Sequence, residues 1–165
     1  MNIVVAVYAD WGIGKRGTQP VVIKDDRRHF RQVTGSGTVI VGRKTLADFP
    51  GGRPLKGRRN IVMSGNKELV IEGAEVVGDV KAVLDAVSDD EQVFVIGGES
   101  VYRQLLEYCT YAYVTKIELI PESDKFFPNL DELSNWELDE DEDYREEDGI
   151  KFKYVRYKNN DVKRI

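Results

Sequence analysis

The residues best suited to chemistry in this chain lie at two glycine turns and on one short helix. Val93–Phe94–Val95–Ile96–Gly97–Gly98–Glu99–Ser100–Val101–Tyr102 joins an apolar run to a helical start through a glycine pair. Without Cβ atoms, Gly97 and Gly98 let the backbone come close to a ligand, and the helix opening at Ser100 would turn free N–H groups toward an anion. A nucleotide diphosphate suits that arrangement, and so does a sharp turn that binds nothing. The pair lacks the G-x-G-x-x-G spacing of dinucleotide folds, and the chain has no G-x-x-x-x-G-K-[ST] phosphate loop.

Gly42–Arg43–Lys44–Thr45 follows the apolar run Thr38–Val41 and places two cations and a hydroxyl at a second strand-to-helix turn. Cations at a helix start oppose its dipole, so they are either solvated or directed at an anionic partner. After Pro20 and Val21–Val22–Ile23, a helix is expected from Lys24 to Val33, with Asp26 and Phe30 on one face. Asp25 and Asp26 both fall in its first turn, where the dipole alone would favour carboxylates. His29 follows two arginines and reads as solvated, and no metal-ligand cluster is expected.

These groups need elements to hold them. The runs Ile3–Val7, Thr38–Val41, Asn60–Ser64, Ala74–Val77, Val93–Ile96 and Tyr111–Ile117 read as strands, several apolar enough to be covered on both faces. Helices are expected from Lys24, from Val80 to Val87 and from Ser100 to Leu106. Strands alternating with helices favour an α/β fold with a mainly parallel sheet. Ala9–Gly17 and Glu122–Asn129 read as loops, the first rich in glycine. The acidic stretch Asp131–Asp148 and the alternating basic stretch Lys151–Lys158 suit an antiparallel hairpin, which accounts for both charge runs without a ligand.

The 165 residues suit a single domain, 1–165. A net charge of −5 argues against general affinity for nucleic acid or anionic membrane. One cysteine, Cys109, permits no internal disulfide and reads as core packing. The apolar run near the start is too short to cross a bilayer, which points to the cytoplasm, and the protein is expected to be a monomer.

Taken in order, Gly12–Ile13–Gly14, Pro20, Asp26 with Phe30, Gly42–Arg43–Lys44–Thr45, Arg53–Pro54–Leu55 with Arg58, Ile96–Gly97–Gly98 with Val101–Tyr102, and Thr115 resemble the dihydrofolate reductase family along nearly the whole chain. Asp124–Phe127–Pro128 is similar to its late loop. The resemblance implies an eight-stranded, mostly parallel sheet with an antiparallel C-terminal strand and four flanking helices. It implies that NADPH gives a hydride to C6 of 7,8-dihydrofolate while N5 gains a proton, and that antifolates bind.

It also implies residue roles. Ala6, Ile13 and Gly14 would lie along the nicotinamide. Gly42, Arg43, Lys44, Thr45 and Ser64 would serve the cofactor's phosphates and ribose. Ile96, Gly97, Gly98, Glu99, Ser100, Val101 and Tyr102 would hold the pyrophosphate and nicotinamide ribose, with a cis Gly97–Gly98 bond. Asp26, bonded to the pterin and to Thr115, would be the pocket's carboxylate, with Val4, Val5, Phe30, Leu55 and Ile96 as substrate neighbours and Arg58 on the glutamate α-carboxylate. Val21 stands where the family usually has Trp, and Arg27 replaces an apolar residue beside the benzoyl-glutamate portion. Two other readings fit parts of the pattern: a pyrimidine reductase of riboflavin synthesis, and a folate- or nucleotide-binding relative without turnover.

Overall fold

A computed structural model describes residues 1–164; the expected domain end at 165 lies outside the described residues. In chain order the strands are β1 (Asn2–Tyr8), β2 (Gly12–Gly14), β3 (Thr38–Gly42), β4 (Asn60–Met63), β5 (Glu75–Val77), β6 (Val93–Val95), β7 (Tyr111–Ile117), β8 (Lys125–Phe126), β9 (Trp136–Asp141), β10 (Arg145–Glu147) and β11 (Ile150–Asn159). The helices are α1 (Lys24–Thr34), α2 (Arg43–Ala47), α3 (Val80–Ala86) and α4 (Glu99–Leu105).

The main sheet runs β10-β11-β7-β1-β6-β3-β4-β5. From β7 to β5 every neighbouring pair is parallel, and β11 is antiparallel to β7. β9 and β10 share one flank of β11: β10 pairs with Ile150–Phe152, and β9 with Val155–Asn159. The sheet is therefore eight strands wide although it contains nine. The acidic and basic arms pair as their charges required, with Arg156 bridging to Asp139 and Lys153 to Asp141 at 2.9 Å.

Alternation along the strands sorts side chains into two layers. Val4, Val39, Val41, Val62, Phe94 and Ile96 lie on one face, packed with Phe30 and Val33 of α1 and Leu46 of α2. Ile3, Val5, Val7, Ile40, Ile61 and Val95 lie on the other, packed with Val83 of α3 and Val101 and Leu105 of α4. Cys109 is fully buried in this second layer, as its isolation in the sequence suggested.

Both expected loops carry a strand. β2 and β8 pair antiparallel, Gly12 opposite Phe126 and Gly14 opposite Lys125. Periodicity could not reveal strands of three and two residues built on glycine and exposed side chains. Gly12 is required by close approach: a Cβ there would lie 2.3 Å from Ser123 Oγ. Gly12–Gly17 spells G-x-G-x-x-G, but the next helix begins only at Lys24, so it is not a strand-turn-helix phosphate motif.

Candidate active site

Asp26 sits in the first turn of α1, and Thr115 near the end of β7 donates its hydroxyl to Asp26 Oδ1 at 2.5 Å. The α1 backbone is pinned there by Asp26 N–H donating to Ile23 O at 3.1 Å. Burial pushes the Asp26 carboxyl up to about 6, against the lowering effect of the Thr115 bond; the negative charge of Asp25 adds to the rise. Asp25 behaves oppositely. Its bond from Arg28, followed by one from Tyr154, holds it at about 2. Two consecutive carboxyls thus differ widely because one is desolvated and the other is paired.

Phe30, one turn along α1, joins Val4, Leu55 and Ile96 in a single apolar layer beside this carboxyl. Val5 corrects the expected wall. Successive residues of a strand face opposite ways, so its side chain packs with Val95 and Val101 in the other layer, and only its backbone can border the site.

Arg58 is held at the far end of α1. Its Nε donates to Thr34 Oγ1 at 3.1 Å, its Nη1 donates to Lys56 O at 3.0 Å, and its guanidinium stands 5.9 Å from the Phe30 ring centre. Nη2 has no hydrogen-bond partner among the described residues. Leu55 is positioned by Asn60, which accepts from Leu55 N–H at 2.9 Å and donates to Leu55 O at 2.8 Å. Arg27 is exposed on α1. Val21 is half-buried near Ala6, and its backbone is clamped by the Tyr8 hydroxyl, which donates to Val21 O at 2.8 Å and accepts from Val21 N–H at 3.0 Å.

The glycine turns meet at the carboxyl ends of the neighbouring strands β3 and β6. Gly42 N–H donates to Gly97 O at 2.8 Å, and the Gly97–Gly98 peptide is cis. A Cβ at Gly98 would stand 2.7 Å from Thr45 Oγ1, and one at Gly42 would stand 3.1 Å from Val101 Cγ2. The two turns are therefore packed so closely that only glycine fits at these positions, which leaves bare backbone at the meeting point. Arg43 and Lys44 are exposed beside it, and no ion pair among the described residues uses them. Ser64 follows β4, its Oγ accepting from Asn66 N–H at 3.2 Å. The bare backbone and the free cations beside it suit a phosphorylated dinucleotide.

Within the second turn, side chains divide by task. Tyr102 is buried and its hydroxyl donates to Val4 O at 2.7 Å, tying the glycine pair to the strand that borders Asp26. Glu99 accepts from Phe126 N–H at 2.7 Å, and Ser100 Oγ accepts from Gln104 at 3.0 Å, so both groups have protein partners. Ile13 and Gly14 lie on β2, and Ala6 on β1.

Several contributors were not visible in sequence. His29, expected to be solvated, is half-buried and stacks on Tyr154 with ring centres 3.8 Å apart; that burial lowers its pKa. Tyr154, Glu147, Tyr8 and Thr34 also hold the site together. Their roles depend on strand register or on contacts far along the chain, for which the residue types alone give no signal.

A model of the dihydrofolate reductase family matches residues 1–159. Among curated relatives, dihydrofolate reductase of Bacillus subtilis is 38% identical over 138 residues, covering 84% of this chain and 80% of that protein. That of Neisseria gonorrhoeae is 31% identical over 157 residues, covering 95% of this chain and 96% of its own. The structure of dihydrofolate reductase from Enterococcus faecalis complexed with NADP(H) and RAB-propyl superposes with a TM-score of 0.88 at 31% identity, covering 97% of this chain and 96% of that one. The order of elements, the meeting of two glycine turns and the buried aspartate facing a strand threonine have one shared explanation: this chain belongs to the dihydrofolate reductase family.

Proposed function

We propose that Asp26 holds the proton that N5 of 7,8-dihydrofolate gains when this chain reduces the substrate to 5,6,7,8-tetrahydrofolate. The observation that carries the reading is the Asp26 carboxyl, raised to about 6 by burial and oriented by Thr115, on the same helix as Phe30, which packs in one apolar layer with Val4, Leu55 and Ile96. A carboxyl with that pKa is a usable acid near neutral pH, whereas Asp25, at about 2, is not.

NADPH supplies the hydride to C6 when bound. The bare backbone of Gly42, Gly97 and Gly98 would accept the pyrophosphate with Thr45, and Arg43, Lys44 and Ser64 would take the remaining phosphate charge. Ala6, Ile13 and Gly14 would border the nicotinamide, with Ile96 and the Glu99–Tyr102 turn closing that side. On the substrate half, Asp26 and Thr115 hold the pterin, Phe30, Val4 and Leu55 wall it, Val21 and Arg27 shape the mouth, and Arg58 takes the glutamate α-carboxylate through Nη2. Antifolates built on a protonated pterin-like ring would pair with the ionised carboxylate of Asp26.

We further read the protein as a cytoplasmic monomer. No helix among the described residues is long and apolar enough to cross a membrane. The sheet edges are defended against pairing: β9 carries five exposed residues, four of them acidic, and β5 is three residues long. The experiment that tests the reaction is NADPH oxidation followed with dihydrofolate, for the wild type, Asp26→Asn and Asp25→Asn. The reading requires turnover that Asp26→Asn slows much more than Asp25→Asn.

A further inference from the structure

Asp25 precedes Asp26 but is bonded to a different strand. The Tyr154 hydroxyl of β11 donates to Asp25 Oδ2 at 2.5 Å, and Arg28 Nε donates to Oδ1 at 2.9 Å. Tyr154 lies opposite Thr115 in the β7–β11 register. Two consecutive residues of α1 are therefore held by a cross-strand pair, Asp25 by Tyr154 and Asp26 by Thr115. The same turn is capped from a distance. Ile23 at the N-cap offers no side-chain acceptor, and Glu147 of β10 instead accepts from Lys24 N–H at 2.7 Å and Asp25 N–H at 3.0 Å.

Consecutive helical side chains point about 100° apart around the axis. Packing of Phe30 and Val33 and the Glu147 cap seat α1 on the sheet, and bonds to two consecutive side chains, Asp26 and Asp25, add a restraint on its rotation that one bond alone would not give. The Tyr154 ring reinforces this, stacked on His29 of α1 and faced by Arg145 at 5.1 Å. Rate is sensitive to such aim, because a displacement of about 1 Å at a reacting group can cost two orders of magnitude.

We infer that Tyr154 is a positioning residue for dihydrofolate reduction: by holding Asp25, its hydroxyl helps fix the rotation of α1 that sets Asp26 in the pocket. The inference rests on Asp26 being the proton-bearing group. Tyr154→Phe tests it, since the phenyl ring keeps its place on His29 and only the hydroxyl is lost. With dihydrofolate, kcat at pH 7 should fall roughly three- to tenfold, the range expected for the net contribution of one ordinary hydrogen bond. NADPH affinity should be unchanged, and KM for dihydrofolate should move less than kcat. Asp25→Asn, which keeps an oxygen for Tyr154, should retain more of kcat than Asp25→Ala when both are compared below the Asp26 pKa of about 6.

Unchanged kcat in Tyr154→Phe, alongside a slowed Asp26→Asn, would overturn the inference alone. A parallel loss of NADPH affinity would overturn it too, because it would mark a general structural role. Equal losses in Asp25→Asn and Asp25→Ala would do the same. If Asp26→Asn itself kept full turnover, the reading of Asp26 would fall, and this inference with it.

Discussion

Thr115 and Tyr154 stand directly opposite each other on β7 and β11, and their hydroxyls donate to consecutive aspartates of α1, each at 2.5 Å. The pairing explains how a helix lying on the sheet presents two adjacent carboxyls in such different states. Asp26 is desolvated by burial, and Asp25 is bonded by Arg28 and Tyr154.

The raised Asp26 pKa has a consequence for stability. A carboxyl whose folded pKa lies above its unfolded value binds more protons when folded, so stability falls as pH rises from about 4 to about 6. Over that shift the loss is at most about 3 kcal/mol. Asp25 acts in the opposite sense: its contribution is present above the ordinary carboxylate range and is lost as pH falls toward about 2. Urea unfolding of the ligand-free protein should therefore show Asp26→Asn more stable than wild type at pH 7.5, with the gap closing toward pH 4. A gap independent of pH would contradict the burial of an ionised Asp26.

Arg58 touches the protein through Nε and Nη1 and keeps Nη2 free. Arg58→Leu should weaken dihydrofolate binding by one to two orders of magnitude, on the order of 1.5–3 kcal/mol for a lost charge-assisted bond. A pterin lacking the glutamate tail should lose far less. Titration calorimetry or inhibition constants for both ligands check this; equal losses would shift attention to Arg27, the exposed cation in the first turn of α1.

Arg43 is exposed beside the glycine turns and has no ion-pair partner among the described residues, so an added phosphate can engage it without breaking a bond. The protein should prefer NADPH to NADH, and Arg43→Ala should erode that preference by roughly tenfold or more. Affinities for both nucleotides, measured for both proteins, decide the point. No difference between the nucleotides in the wild type would contradict the assignment.

Val21 has its backbone clamped by Tyr8 and its side chain half-buried beside Ala6. Because one side of it remains open, Val21→Trp should be accommodated, tightening dihydrofolate severalfold while leaving NADPH affinity alone. Overpacking would instead cost about 1–3 kcal/mol and weaken the substrate. A change confined to NADPH would show that position 21 does not line the substrate pocket.

Much of this fold is legible from periodicity. The apolar runs at Ile3–Val7, Thr38–Val41 and Val93–Ile96 read as strands of a mainly parallel sheet, as they are, and they deliver both glycine turns to one end of it. The Asp26–Phe30 face is likewise local, fixed by helical spacing. What escaped is long-range or very short. The β2–β8 pair is too brief to show a period, and motif order does not say which way the Val5 side chain points, which is into the opposite layer. His29 stacks on a residue 125 positions away, a contact set by the β7–β11 register and not by its own neighbours.

The most direct test of the account is the pH dependence of steady-state dihydrofolate reduction at saturating NADPH. If Asp26 bears the proton, wild-type kcat/KM for dihydrofolate should be flat in acid and fall above about pH 6, approaching tenfold per unit. Asp26→Asn should be slow at pH 7, should recover as the solution is made more acidic, and should show no break near pH 6. A break of the same size and position in Asp26→Asn would contradict the claim.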